Sequence, residues 1–222
     1  MNRFCCLLLL VSCVLNFTGC TTRPPSAVQF METYRRSMEL KEKPDAYVDF
    51  GFSLLGSFPA IICQRDVSWK SVCNAENEYA DQLPYDLSGQ MTVLMDSHFL
   101  IGAELHYIDL NFFVGTAFEH FGVMGWVDAV GSVADKTPGI GLMIMEQFPI
   151  GDIVSWGIMQ HVQQGVTIGT YHSDRYLEVG GGAYILGKGN GHKGHWSVGL
   201  ELLYGVKVKD GTGHIDLRLS VL

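Results

Sequence analysis

A chain of 222 residues with 15 Lys and Arg against 23 Asp and Glu carries a formal charge of −8 at pH 7. That length suits one domain, or one domain with a small appendage. The acidic balance and the absence of a basic block argue against nucleic acid as a partner, because phosphate contacts need a basic surface. No HExxH motif, nucleotide fingerprint or glycine-rich phosphate loop is present, so no cofactor is expected.

The first residues read as an address. Arg3 precedes an apolar core that runs from Phe4 to Leu15. A membrane-spanning helix needs roughly 20 apolar residues, so this core is too short to be one and matches a secretory signal. It ends in Phe17-Thr18-Gly19-Cys20, which resembles the lipobox of bacterial lipoproteins. That resemblance implies a signal peptide over 1–19, cleavage before Cys20 and a lipid on the Cys20 thiol, with membrane lipid as the partner. It further implies the outer membrane of a Gram-negative cell, since Thr21 is not the Asp that retains such proteins in the inner membrane. Residues 20–25 are then a lipidated tether. With Cys20 lipidated, Cys63 and Cys73 remain as an even pair in an oxidising compartment. A disulfide between them, closing a short loop, is the expectation.

Ser26 can cap a helix over 26–43, which Pro44 stops. Met31, Tyr34 and Met38 share one face of it. Such a helix either packs on the following domain, plugging one end, or lies on the membrane surface.

After Pro44 the hydrophobic period changes from 3.6 to 2. Val48, Phe50, Phe52 and Leu54 alternate with Tyr47, Asp49, Gly51 and Ser53. The same pattern recurs over 99–107 and 108–118, and weaker signals fall near 89–95, 121–131, 139–148, 156–170 and 175–187. Residues 64–88 read as a long polar loop. The clearest signal is the row Trp196, Val198, Leu200, Leu202, Tyr204 and Val206, facing away from Ser197, Glu201 and Lys207. The turn Asp210-Gly211-Thr212-Gly213 follows, and then Ile215, Leu217, Leu219 and Val221 alternate with His214, Asp216, Arg218 and Ser220. The fold class is therefore mainly β, with residues 45–222 forming an antiparallel meander barrel of about eight to ten strands behind one short helix.

Alternation alone leaves two barrels open. In a transmembrane barrel the apolar rows face lipid, with aromatics such as Trp196 and Tyr204 near the interfaces. In a lipocalin-like soluble barrel the same rows point inward and hold an apolar small ligand.

Three groups are candidates for chemistry. His192 and His195, in Gly-His-Lys-Gly-His, have metal-ligand spacing and could recruit His214 or Asp216 across the hairpin, though two loop histidines fall short of the three or four ligands of a zinc site. Tyr171-His172-Ser173-Asp174 offers nucleophile, base and acid types, as a lipid hydrolase would need, but sequence neighbours seldom converge as a triad. Glu104, His106, Asp109, Glu119 and His120 read as a polar network that could pair with Arg218 or Lys207. The sequence therefore assigns no catalytic residue. It favours an envelope protein with a structural or binding role, ahead of an apolar-ligand carrier or a lipid hydrolase.

Overall fold

The structure, a computed structural model, describes residues 20–21, 23–40, 46–60, 64–65, 71–72, 85–95, 97–106, 109–129, 138–151, 153–168, 173–191, 194–208 and 213–222. Two residues, β1 (Cys20–Thr21), precede helix α1 (Ala27–Glu39), and β2 (Tyr47–Ala60) follows. A small two-stranded sheet, β3 (Gln64–Arg65) and β4 (Ser71–Val72), lies in the long connection after β2. Nine further strands complete the chain: β5 (Tyr85–Leu94), β6 (Phe99–Leu105), β7 (Leu110–Ala117), β8 (Phe121–Asp128), β9 (Gly139–Ile150), β10 (Val154–Ile168), β11 (Ser173–Gly191), β12 (Gly194–Lys207) and β13 (Gly213–Val221).

Strands β2 and β5 to β13 pair antiparallel in sequence order. β13 returns to β2, with Leu219 opposite Leu54, so the ten strands close into a barrel. Closure satisfies every strand edge within the ring. Beyond Gly139, where β9 stops, β1 takes its place beside β10 through Cys20–Ile168 and Thr21–Thr167. Connections at one end are 61–84, 106–109, 129–138, 169–172 and 208–212; at the other they are 95–98, 118–120, 151–153 and 192–193. These are called the long-loop and short-turn ends. In the β9–β10 turn, Gly151 has φ +65°, a conformation that L side chains rarely adopt.

The expected strands are present, and several boundaries move. GKGNGHKG, expected to be a loop, is mostly ladder: Lys188 faces Ser197, Asn190 faces His195, and Gly191 faces Gly194. Ser173 and Asp174 belong to β11. Asp216 lies opposite Leu203 in the β12–β13 ladder, and Lys207 stands opposite Glu178 on the β11 side. The helix ends at Glu39 rather than Lys43, because Leu40 is already extended (φ −69°, ψ 134°). Cys63 and Cys73, and with them the expected disulfide, lie outside the described residues.

The apolar rows point outward. Each barrel strand contributes to the exposed band: Phe52, Leu87, Leu105, Phe112, Val127, Leu142, Val162, Leu177, Leu202 and Leu217. Exposure reaches 71% at Phe52 and 72% at Leu87, values that an inward row could not show. Near the short turns the band is aromatic, with Phe99, Phe118, Phe121, Phe148, Trp156 and Trp196 exposed. Phe148 and Trp156 stack with centroids 4.9 Å apart. At the other end Tyr204 is exposed in the same outer row.

Inside the barrel lies α1. An eight-stranded barrel is just wide enough for its own side chains to fill, and ten strands leave room for more. Here the filler is the helix, buried on every side: Val28 and Phe30 are fully enclosed, and so are the polar Gln29, Glu32 and Thr33. On one side Phe30 and Met31 pack into a cluster with Met124, Met143, Met145, Met159 and Leu186. Flexible thioether side chains suit the irregular gap between a helix and a curved sheet. Four wall glycines act as sockets. A Cβ at Gly199 would come within 2.4 Å of Val28, at Gly51 within 2.7 Å of Gln29, at Gly115 within 2.8 Å of Phe30, and at Gly122 within 2.6 Å of Met31. The helix enters at the long-loop end and leaves at the short-turn end, where Tyr34 stacks on His98 at 5.7 Å and Lys188 reaches Glu39 at 3.6 Å.

Gly199→Val should therefore lower the unfolding midpoint in detergent by an overpacking cost of about 1–3 kcal/mol. Val28→Ala should recover most of that loss in the double variant. A Gly199→Val protein as stable as wild type would show that the helix does not seat there.

Candidate functional site

The polar groups of the interior gather around the point where the chain enters the lumen. Arg23, Pro24 and Pro25 lead from β1 into Ser26, the cap of α1, whose Oγ accepts from Gln29 N at 3.2 Å. A helix start leaves N–H groups without intrahelical partners and a partial positive charge. Two wall carboxylates supply both needs. Glu104, at the end of β6, accepts from Ser26 N at 3.0 Å. Glu201, in β12, accepts from the Ser26 hydroxyl and from Val28 N, the latter at 3.3 Å.

Arg218 lies between these carboxylates. Its Nη1 is 3.6 Å from Glu104 and 4.0 Å from Glu201, and its Nη2 donates to Pro24 O at 2.9 Å. β2 and β5 lie between β13 and β6, so the Arg218–Glu104 pair spans part of the lumen. Ser88 donates to Glu104 at 2.8 Å. His106 lies 3.5 Å from Glu104 through Nε2 and 3.2 Å from Asp86 through Nδ1, and Arg23 is 3.8 Å from Asp86.

Two further clusters complete the ring. On β10, β11 and β13, Glu178 accepts from Gln163 at 2.9 Å and lies 3.1 Å from His161 and 3.6 Å from His214, which in turn is 3.4 Å from Asp216. Just before β7, on β7 and on β8 respectively, Asp109, Asn111 and Asp128 are buried, and Asn111 Nδ2 donates to Arg23 O at 2.9 Å. The ring thus holds seven carboxyls: Asp86, Glu104, Asp109, Asp128, Glu178, Glu201 and Asp216. Their basic counterparts are Arg23, Arg218 and three histidines. Lower in the lumen Glu32 binds Arg35, Arg36 and Ser197, while Arg36 reaches Asp49 at 3.2 Å.

Two ring groups lie in the β6–β7 connection rather than in a strand. Burial opposes protonation of His106, but the Glu104 charge and the Asp86 and Glu104 hydrogen bonds outweigh it and raise the pKa to about 9. Burial, then the Asp128 hydrogen bond and charge, pushes the Asp109 carboxyl up to about 8.

The described histidines that the sequence offered as a weak metal candidate lie far apart. His195 lies opposite Asn190 near the short turns, while His214 lies opposite Gly205 at the far end of β12. At about 3.3 Å per residue the two are roughly 30 Å apart. His192 lies outside the described residues, as do Tyr171 and His172 of the proposed hydrolase group. Among the described residues no three of His, Cys, Asp and Glu converge as a metal centre. Glu119 and His120 lie 3.9 Å apart on an exposed short turn, where His120 Nδ1 is 3.2 Å from Gln147 O, and they take no part in the ring. Glu104, His106 and Asp109 do join it, with Arg218 as the partner and not Lys207, which lies over Tyr176 at 4.8 Å. Glu201 and Asp216 were visible as polar positions opposite apolar rows. Asp128, His161 and Glu178 gave no signal of their own, because their partners come from strands far away in sequence.

No protein-family model matches the chain, and no curated protein matches it.

Removing one partner of a buried charge group leaves the others uncompensated, at a cost of about 3–5 kcal/mol. Arg218→Met should lose that much, and Glu104→Gln in the same chain should restore part of it; thermal unfolding in detergent reads both. The pH dependence follows from the raised pKa of His106, whose ordinary value is 6.5. Its contribution is fully present below pH 6.5 and is lost as pH rises through 9. Asp109 acts in the same direction: its folded form keeps a proton that the unfolded chain has released, which disfavours folding increasingly up to about pH 8. The unfolding midpoint should therefore fall between pH 6.5 and 9, and His106→Gln should flatten that slope. An unchanged slope would remove His106 as its source.

Proposed function

We propose that this protein is an integral β-barrel of a bacterial outer membrane, cleaved before Cys20 and lipidated there, with a structural or binding role in the envelope rather than a catalytic one. The observation that carries this reading is the continuous outward apolar band on all ten strands around a polar, charged interior. Soluble monomers rarely expose contiguous apolar patches larger than a few hundred Å². A bilayer provides the surroundings such a band needs, and a closed barrel is the β-architecture that can enter one with its backbone bonds satisfied. Aromatics near the short turns fit an interfacial girdle. A lipocalin-like carrier needs an apolar inner row and a cavity; here the inner row is largely polar and the space holds α1. The ring hydroxyls of Ser26 and Ser88 are engaged by Glu201 and Glu104 in the network that holds the helix start, which supports a structural role for them.

α1 also separates the chain ends. The segment before Arg23 leaves at the long-loop end, and Leu222 ends at the short-turn end. A lipid on Cys20 would enter the leaflet at the long-loop end, and the filled lumen would block conduction.

The test replaces residues 1–20 with a leader cut by ordinary signal peptidase, so that no lipid is attached. The folded protein should stay with outer membranes through carbonate washing, and the purified barrel should be silent in planar bilayers. Recovery as a soluble periplasmic monomer would overturn the integral reading and leave Cys20 as the whole anchor.

A further inference from the structure

The course of the chain through the barrel fixes which mouth the N-terminal segment occupies. β10 runs towards the long-loop end, where Ile168 is its last residue, and β1 pairs with it antiparallel, Cys20 opposite Ile168 and Thr21 opposite Thr167. Cys20 is therefore the outer residue of that short ladder, and the chain runs inward from it. The carbonyls of Arg23 and Pro24 are held at the same end by Asn111 and Arg218. The 13 residues of α1 follow, about 20 Å of helix at 1.5 Å per residue. At its far end Tyr34 meets His98 and Glu39 meets Lys188, both near short turns, and β2 starts there with Tyr47 opposite Leu94.

One element thus crosses the barrel from mouth to mouth. Its N-terminal side emerges among the long loops, whereas β2 begins and β13 ends at the short turns, as an even number of strands requires. The two mouths are not equivalent. Connections 61–84 and 129–138 at the long-loop end are longer than any at the other. Outer-membrane barrels turn their short connections to the periplasm and their long ones to the exterior.

We propose that the lipid on Cys20 is a cell-surface anchor: α1 carries the N-terminal segment outward through the lumen of its own barrel, and the acyl chains enter the outer leaflet, opposite the face where β2 begins and β13 ends. This anchor presupposes the lipidated, integral barrel proposed from the outward apolar band. Acyl chains cannot follow through a lumen that α1 fills, so β13 closes on β2 only once the segment is in place. The lipid in turn keeps α1 from sliding back towards the periplasm.

Epitope accessibility on whole Gram-negative cells tests the route and the face together. One epitope is inserted between Thr22 and Arg23, one in the 208–212 loop and one in the 151–153 turn, each in the full-length precursor. The first two should stain fully on intact cells, with no gain when the outer membrane is permeabilised, and the third only after permeabilisation. An N-terminal epitope that sides with the 151–153 turn would overturn the route through the lumen. A 151–153 epitope exposed while the other two are hidden would overturn the surface face. All three hidden, in protein that carbonate releases, would instead sink the integral barrel itself and the surface anchor with it. A second variant needs no N-terminal insertion. A Cβ at Gly199 would lie 3.3 Å from Val28 Cβ, close to the roughly 3.5–4.5 Å found in a disulfide. Val28→Cys with Gly199→Cys, in a chain carrying only the 208–212 epitope, should give an intramolecular crosslink in surface-stained, carbonate-resistant protein, read as a gel shift lost on reduction. Surface-stained protein without that crosslink would put α1 outside the lumen and overturn the route.

Discussion

Glu104 and Glu201, holding Ser26 and the first turn of α1 inside the barrel, are the contact on which the rest of the interior depends. A helix start needs acceptors for its N–H groups, and in a closed lumen they have to come from the wall. Two carboxylates meet that need and gain from the helix dipole, but together they place two negative charges in a buried space. Arg218 neutralises them and also ties down Pro24. Ser88, His106, Asp86 and Arg23 follow as the groups that complete the hydrogen bonds of these three.

The same entry point sets the architecture of the wall. A ten-stranded ring is too wide to be filled by its own side chains, so the helix is its core. The sockets at Gly51, Gly115, Gly122 and Gly199 let the wall approach α1 closely, and the Met cluster fills one flank. The interior then divides by chemistry. Its middle is packed like a soluble core, while its long-loop end is an acidic ring and its short-turn end is closed by Glu39–Lys188 and Tyr34–His98. The outer rows can be largely apolar because many of the charges of the fold lie in the interior networks.

The sequence alone determined the strand pattern and the start of the helix. These are local quantities, set by period-2 alternation and by Ser26 as a cap. It also singled out Glu104, His106, Asp109 and Arg218 as polar positions among apolar rows. Two decisions belonged to tertiary structure. Alternation separates two faces without saying which is inside, and an inward and an outward barrel share one sequence pattern. Only closure of β13 on β2, with α1 occupying the lumen, turned the rows outward. The charged ring was likewise invisible as a ring. Glu201 meets Ser26, and Asn111 meets Arg23, because the helix passes through the barrel, and no spacing along the chain encodes that path.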